Sequence, residues 1–128
     1  MLATTPLRVL IVDGDETSRT SAARYLSATG WRVRTLERVN DALALLATRV
    51  FDAILVHHEP DESSPEGGLR IAETARAARR STNIVVLGGV EADDHERARV
   101  LRSANAFFHR EQPMRDVERA LRGRGMVR

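Results

Sequence analysis

Four short apolar runs in this 128-residue chain end on residues that can do chemistry. Asp13 and Asp15 follow LRVLIV, and His57, His58 and Glu59 follow DAILV; Gly88-Gly89 follow NIVVL, and His109 and Arg110 follow ANAFF. Imidazoles beside carboxylates are donors that Zn²⁺ or another transition ion accepts, and Asp13, His57 and Glu59 are the trio for such a site. No spaced signature such as HExxH supports a metal, and solvated polar residues at loop starts explain the same pattern. His57 could itself take a phosphoryl group, but the sequence supplies no surrounding site for one. Gly88-Gly89 lacks the GxGxxG or Walker pattern of a phosphate cradle and reads as a hinge or tight turn. With no cysteine, disulfides, thiolate metal sites and cysteine catalysis are excluded.

Composition narrows the class. Hydrophobic residues make up 42% and charged residues 30%, the balance of an ordinary folded domain. The net charge of +2 sits beside a pI of about 10.3 because every basic side chain is Arg, which stays protonated far above neutrality. The high pI is therefore poor evidence for nucleic acid. There is no helix-turn-helix signature, and few aromatics to stack bases. No apolar run approaches the ~20 residues of a membrane span. Met1–Pro6 is too short for a signal peptide, so a soluble cytoplasmic protein is expected.

The elements that must position these residues follow from apolar periodicity. Strands are expected at Leu7–Asp13, Trp31–Glu37 (Val33 and Thr35 inward), Phe51–Val56, Asn83–Leu87 and Ala104–His109. Helices are expected at Glu16–Thr29, closed by Gly30, at Asn40–Arg49 with Asn40 as N-cap, and at Leu69–Arg79. Two more run from Asp93 or Asp94 to about Ser103, and over Met114–Arg122. Tyr25, Trp31 and Phe51 read as packing residues. Strands apolar on successive residues are covered on both faces. Alternation with helices then calls for one α/β domain over residues 1–128, with its core at about 7–122 and tails at 1–6 and 123–128. Its sheet is parallel and doubly wound. In such sheets the functional site lies beyond the C-terminal strand ends.

RVLIVDGDE, DAILV, NIVVLGG and SANAFFHR, in that order and spacing over roughly Leu7 to Leu121, resemble the landmarks of response-regulator receiver domains. The resemblance implies the CheY-like, flavodoxin-like (βα)₅ fold, with five strands in order 2-1-3-4-5, and a bacterial two-component (phosphorelay) pathway. In that family two acids after the first strand hold Mg²⁺, and an Asp ending the third strand accepts phosphate. A Ser or Thr ends the fourth strand, and a Lys ends the fifth. Here Asp13 falls on the first acid, but Gly14 falls on the second, with Asp15 one residue further on. His57 falls on the acceptor, Gly88 on the hydroxyl residue, Arg110 on the Lys and Glu111 on the Pro after it. Phe107 falls on the switch aromatic. A carboxylate cannot take up a dianionic group unless cations offset the accumulating charge. The phosphorylation site thus reads as degenerate, with Mg²⁺ binding weak or absent and no enzymatic activity expected.

A second register remains open. Asp61, followed by Pro65 and Gly68, imitates the family's acceptor–Pro–Gly spacing, but needs a strand running through His57, His58, Glu59 and Pro60, where proline cannot donate to a ladder. The preferred reading is an atypical receiver acting by phosphorylation-independent protein–protein interaction. The alternatives are a receiver phosphorylated at Asp61 or Asp13, and a metal or small-ligand sensor at His57. Arg110 is expected to pair with Asp13 or Asp15, or to point into solvent. Arg97, Arg99 and Arg102, with Arg115 and Arg119, would make basic the face formed by the fourth helix, fifth strand and fifth helix. In the family that face takes protein partners or forms homodimers; solvated helix surfaces explain the same arginines.

Overall fold

The computed structural model describes residues 5–59, 66–89 and 93–123. Along them run β1 (Arg8–Val12), α1 (Glu16–Ala28), β2 (Arg32–Leu36), α2 (Val39–Leu46), β3 (Ala53–His58), α3 (Gly68–Ala78), β4 (Asn83–Gly88), α4 (Asp94–Leu101), β5 (Ala106–His109) and α5 (Met114–Leu121). The strands form one parallel sheet, as the periodicity predicts, in the order β2-β1-β3-β4-β5 that the resemblance implies.

Successive strand residues point to opposite faces, and that parity divides the core in two. Val9, Ile11, Leu55, Val85 and Leu87 pack with α1 and α5 through Leu26, Val117 and Leu121. Leu10, Val12, Ile54, Val56, Ile84 and Val86 pack on the other face against Leu46, Ile71, Val100 and Phe107. Full burial of each such aliphatic side chain stabilises the fold by about 1.5–3 kcal/mol.

Local chemistry sets the element ends. Asp15 caps α1 by accepting from the Ser18 amide, and Asp93 caps α4 by accepting from that of Glu96. Gly30, at φ +102, takes the left-handed turn after α1 that an L-residue resists. Three expectations fail. The helix expected from Asn40 begins at Val39, after Arg38, with no side-chain cap. Thr35 is exposed, because β2 is an edge strand and α1 covers little beyond Val33. β3 does not start at Phe51 or stop at Val56; it runs through His57 and His58, which pair in register with Leu87 and Gly88 of β4.

Candidate functional site

The parity that divides the core also separates the two histidines ending β3. His57 shares the α1/α5 face with Leu55, and His58 shares the α4 face with Val56. Each becomes the centre of a different cluster.

On the α1/α5 side, Asp13 continues β1 and is 5% exposed. Its amide donates to Leu36 O (3.0 Å), which holds it at the sheet end. Its carboxylate is already engaged on both oxygens. Oδ1 accepts from the Asp15 amide (2.9 Å), and Oδ2 accepts from Ser18 Oγ (2.6 Å). His57 Nδ1, on a side chain 7% exposed, lies 3.2 Å from the same Oδ1. The other ring nitrogen, Nε2, is 3.2 Å from Glu59 Oε1 but not in hydrogen-bonding geometry.

These contacts move both pKa values. Burial pushes the Asp13 carboxyl upward, but the hydrogen bonds from His57, Ser18 and the Asp15 amide prevail and hold it below its ordinary value. The hydrogen bond to Asp13 raises His57 against the opposing pull of burial, and the charges of Asp13 and Glu59 add to the rise, while Arg110 opposes it. The pair therefore favours the imidazolium form of His57 and the ionised form of Asp13 relative to their ordinary pKa values. A raised folded pKa stabilises fully below the unfolded value of 6.5 and stops doing so as pH rises through the folded value. The lowered Asp13 contributes fully above 3.8 and is lost as pH falls through its own folded value. The melting temperature is therefore expected to decline from about pH 6 toward pH 9, each kcal/mol lost lowering it by about 4 °C. His57→Gln should flatten that limb in a pH series of thermal melts; an equally steep limb in the variant would refute the assignment.

The metal trio does not converge. The His57 ring stands between the two carboxylates, presenting one nitrogen to Asp13 and the other to Glu59. Among the described residues no group of three His, Asp or Glu donors is arranged around one point. Arg110 does not reach Asp13 or Asp15 as an ion pair. Its nearest carboxylate is Glu59, at 3.8 Å with both side chains at least half exposed. The reason is geometric: His57 projects from the strand beside β1 and shares a face with Asp13, so it takes the buried carboxylate first. Asp61 lies outside the described residues.

On the α4 side, His58 is 5% exposed and satisfied at both nitrogens. Nδ1 accepts from the Gly68 amide (3.0 Å), and Nε2 lies 3.3 Å from Glu96 Oε1, so the proton sits on Nε2. Its ring stands edge-on to that of Phe107, with centroids 6.3 Å apart. Phe107 is buried and packs directly on Gly88, where a built Cβ would overlap ring atoms Cε1 and Cζ. Arg97 closes the cluster from outside: its guanidinium lies 4.9 Å from the Phe107 ring centroid and donates to Phe107 O (2.7 Å). His109 shares Phe107's parity, and its Nδ1 accepts from the Glu111 amide, so it does not join the His57 cluster.

The expected basic face is thus only partly free. Arg97 is spent on Phe107, and Arg99 pairs with Glu66 at 3.1 Å. Arg102, Arg115 and Arg119 are exposed, beside Leu101, which is also exposed. Sequence reasoning missed Ser18 and did not separate His58 from His57. Ser18 stands where the first turn of α1 passes the end of β1, and His58 follows Val56 at the spacing of one strand face; both placements are readable once the strand ends are known.

No protein-family model matches the chain, and no curated protein matches it in sequence. Solved structures do. A CheY-like receiver domain protein from Methanospirillum hungatei JF-1 superposes with TM-score 0.82 at 21% identity, over 93% of each chain. The fold is that of response-regulator receiver domains. TrrA from Thermotoga maritima, solved in complex with Mg²⁺-BeF, has this receiver fold at TM-score 0.75 and 19% identity, over 94% of this chain and 99% of that one. A response regulator from Burkholderia pseudomallei, solved with a phosphorylated aspartic acid, calcium ion and citrate, matches at TM-score 0.77 and 22% identity. There 90% of this chain is covered but just 66% of the other, so the chain spans a little under two thirds of that protein. A receiver fold implies a Mg²⁺ site after β1, and the residues here do not fit one. Gly14 brings no ligand, Asp13 has both oxygens engaged, and the adjoining position carries the His57 imidazole in place of a carboxylate.

Proposed function

We propose that the chain is an atypical receiver domain of bacterial two-component signalling that engages protein partners without an aspartyl phosphate. The observation that carries this reading is the His57–Asp13 pair. An imidazole at the end of β3 sits where the receiver pattern puts its phosphoacceptor, 3.2 Å from the one acid left from the metal site, and that contact raises its pKa. Among the described residues no aspartate ends β3, and the Asp13 oxygens are held by Ser18 and the Asp15 amide. Catalytic turnover is not part of the proposal; the working site is cytoplasmic and the ligand is a protein.

The α4 side gives the reading its mechanism. A switch needs two states that some ligand distinguishes. In this chain Gly88 leaves permanent room for Phe107, and Arg97 and His58 hold the ring there. The face of α4, β5 and α5 then keeps one constitutive shape, offering Leu101, Arg102, Arg115 and Arg119 to an acidic partner or to a second copy of the chain. Mg²⁺ with beryllofluoride, a phosphoryl mimic, tests this by amide NMR. The expected spectrum leaves α4 and β5 resonances unmoved; shifts around Phe107 and along α4 would overturn the proposal.

A further inference from the structure

A second cavity lies on the α1/α5 side, under the His57–Asp13 pair and between α1 and the turn joining β5 to α5. It measures about 200 Å³, below the ~300–1,000 Å³ of pockets for drug-sized ligands. Its floor is the apolar end of the sheet, Ile11, Leu55 and Leu87, and Met114 from α5 forms a wall. The polar groups gather at the rim: Ser21 from α1, Gln112 from the turn, and Arg110.

His57 and Asp13 are engaged with each other at 3.2 Å. Among the described residues Arg110 is paired only with Glu59 at 3.8 Å, with the two side chains 50% and 61% exposed, and such exposed pairs are weak. Among the described residues its guanidinium makes no hydrogen bond. Gln112 is tied back to Asp116; Asp13, which is hydrogen-bonded by Ser18 and the Asp15 amide, and Glu111 on the same turn are the lining carboxylates that oppose an anion. We propose that this cavity binds a small organic monocarboxylate, its carboxylate forked on Arg110 and its apolar body over Leu55, Leu87 and Met114. A planar guanidinium matches one carboxylate in bidentate geometry. The apolar floor suits a hydrocarbon body and supplies no further cation for a dianion such as phosphate. The cavity shares Asp13, His57 and Arg110 with the degenerate phosphorylation site, and a small carboxylate there goes beyond partner binding.

Benzoate is the probe, with neutral benzamide as its isostere, and methyl resonances of Leu55, Leu87 and Met114 are the readout. A fragment of this size is expected to saturate these shifts with Kd on the order of 1 mM. Benzamide and the Arg110→Gln variant should each bind about tenfold more weakly or worse, a change typical of losing one charged contact. Glu111→Gln should tighten binding, and Met114→Trp should abolish it by filling the cavity while Arg110 stays in place. Shifts that fail to saturate, benzamide binding as well as benzoate, or benzoate binding unchanged in Arg110→Gln would each overturn the site. None of these outcomes depends on phosphoryl transfer, so the cavity and the phosphorylation-independent reading stand or fall separately.

Discussion

Replacing Gly88 with serine is expected to destabilise the domain by about 1–3 kcal/mol, the usual cost of forcing extra atoms into a packed core. Gly88 does not sit at a positive φ, so its backbone tolerates any side chain and room alone is at stake. The new Cβ would overlap Cε1 and Cζ of Phe107. Two responses are open, and both are costly. The ring can stay, forcing β4 and β5 apart where Arg110 N donates to Gly88 O (2.9 Å). Otherwise it can swing out, giving up its burial, worth about 1.5–3 kcal/mol, together with the Arg97 stack. A smaller side chain at 107 relieves the overlap, so Phe107→Leu should cost less in the Gly88→Ser background than alone, with a coupling of roughly 1 kcal/mol. A denaturant double-mutant cycle measures this. Additive costs would show that Gly88 and Phe107 do not act as one unit.

His57→Asp is expected to be more harmful still, although it restores the residue type of a working receiver. The substitution removes the buried imidazole and sets a second carboxylate beside Asp13. Breaking a buried pair while leaving one charge behind costs about 3–5 kcal/mol, a large share of the ~5–15 kcal/mol that holds a domain folded. The neutral His57→Asn variant should lose less, about 1.5–3 kcal/mol, the worth of a hydrogen bond to a charged group. Two carboxylates in one site cannot both ionise easily, so one pKa must rise. A raised folded pKa stabilises at low pH, so the gap between His57→Asp and the wild type should narrow on acidification below the range where His57 titrates. Millimolar Mg²⁺ should recover part of it at neutral pH by supplying the missing positive charge. Urea melts at two pH values, with and without Mg²⁺, decide the matter. A His57→Asp protein as stable as wild type at neutral pH in chelator would mean that His57 does not neutralise Asp13.

Much of this was legible before any coordinates. Five apolar runs bounded by loop chemistry predict the parallel sheet, the family resemblance adds its order, and strand ends in such a sheet bring Asp13, His57, Gly88 and Arg110 together. Side-chain partners were harder. Matching charges by strength pairs Arg110 with Asp13, whereas strand parity gives that carboxylate to His57 and leaves Arg110 with Glu59. Hydropathy ended β3 at Val56 because histidines are polar, but both are hydrogen-bonded where they stand and the ladder continues beneath them. Arg97 looked like surface charge from helical spacing; in fact it is fastened to the carbonyl of Phe107, a contact between elements that no local pattern encodes.

The central claim is that no aspartyl phosphate forms, and intact-mass spectrometry after incubation with Mg²⁺ and acetyl phosphate tests it most directly. The account predicts an unchanged mass for the wild type under conditions that fully label a conventional receiver run alongside. A stoichiometric phosphoryl adduct, lost on mild alkaline hydroxylamine treatment as an acyl phosphate is, would contradict it.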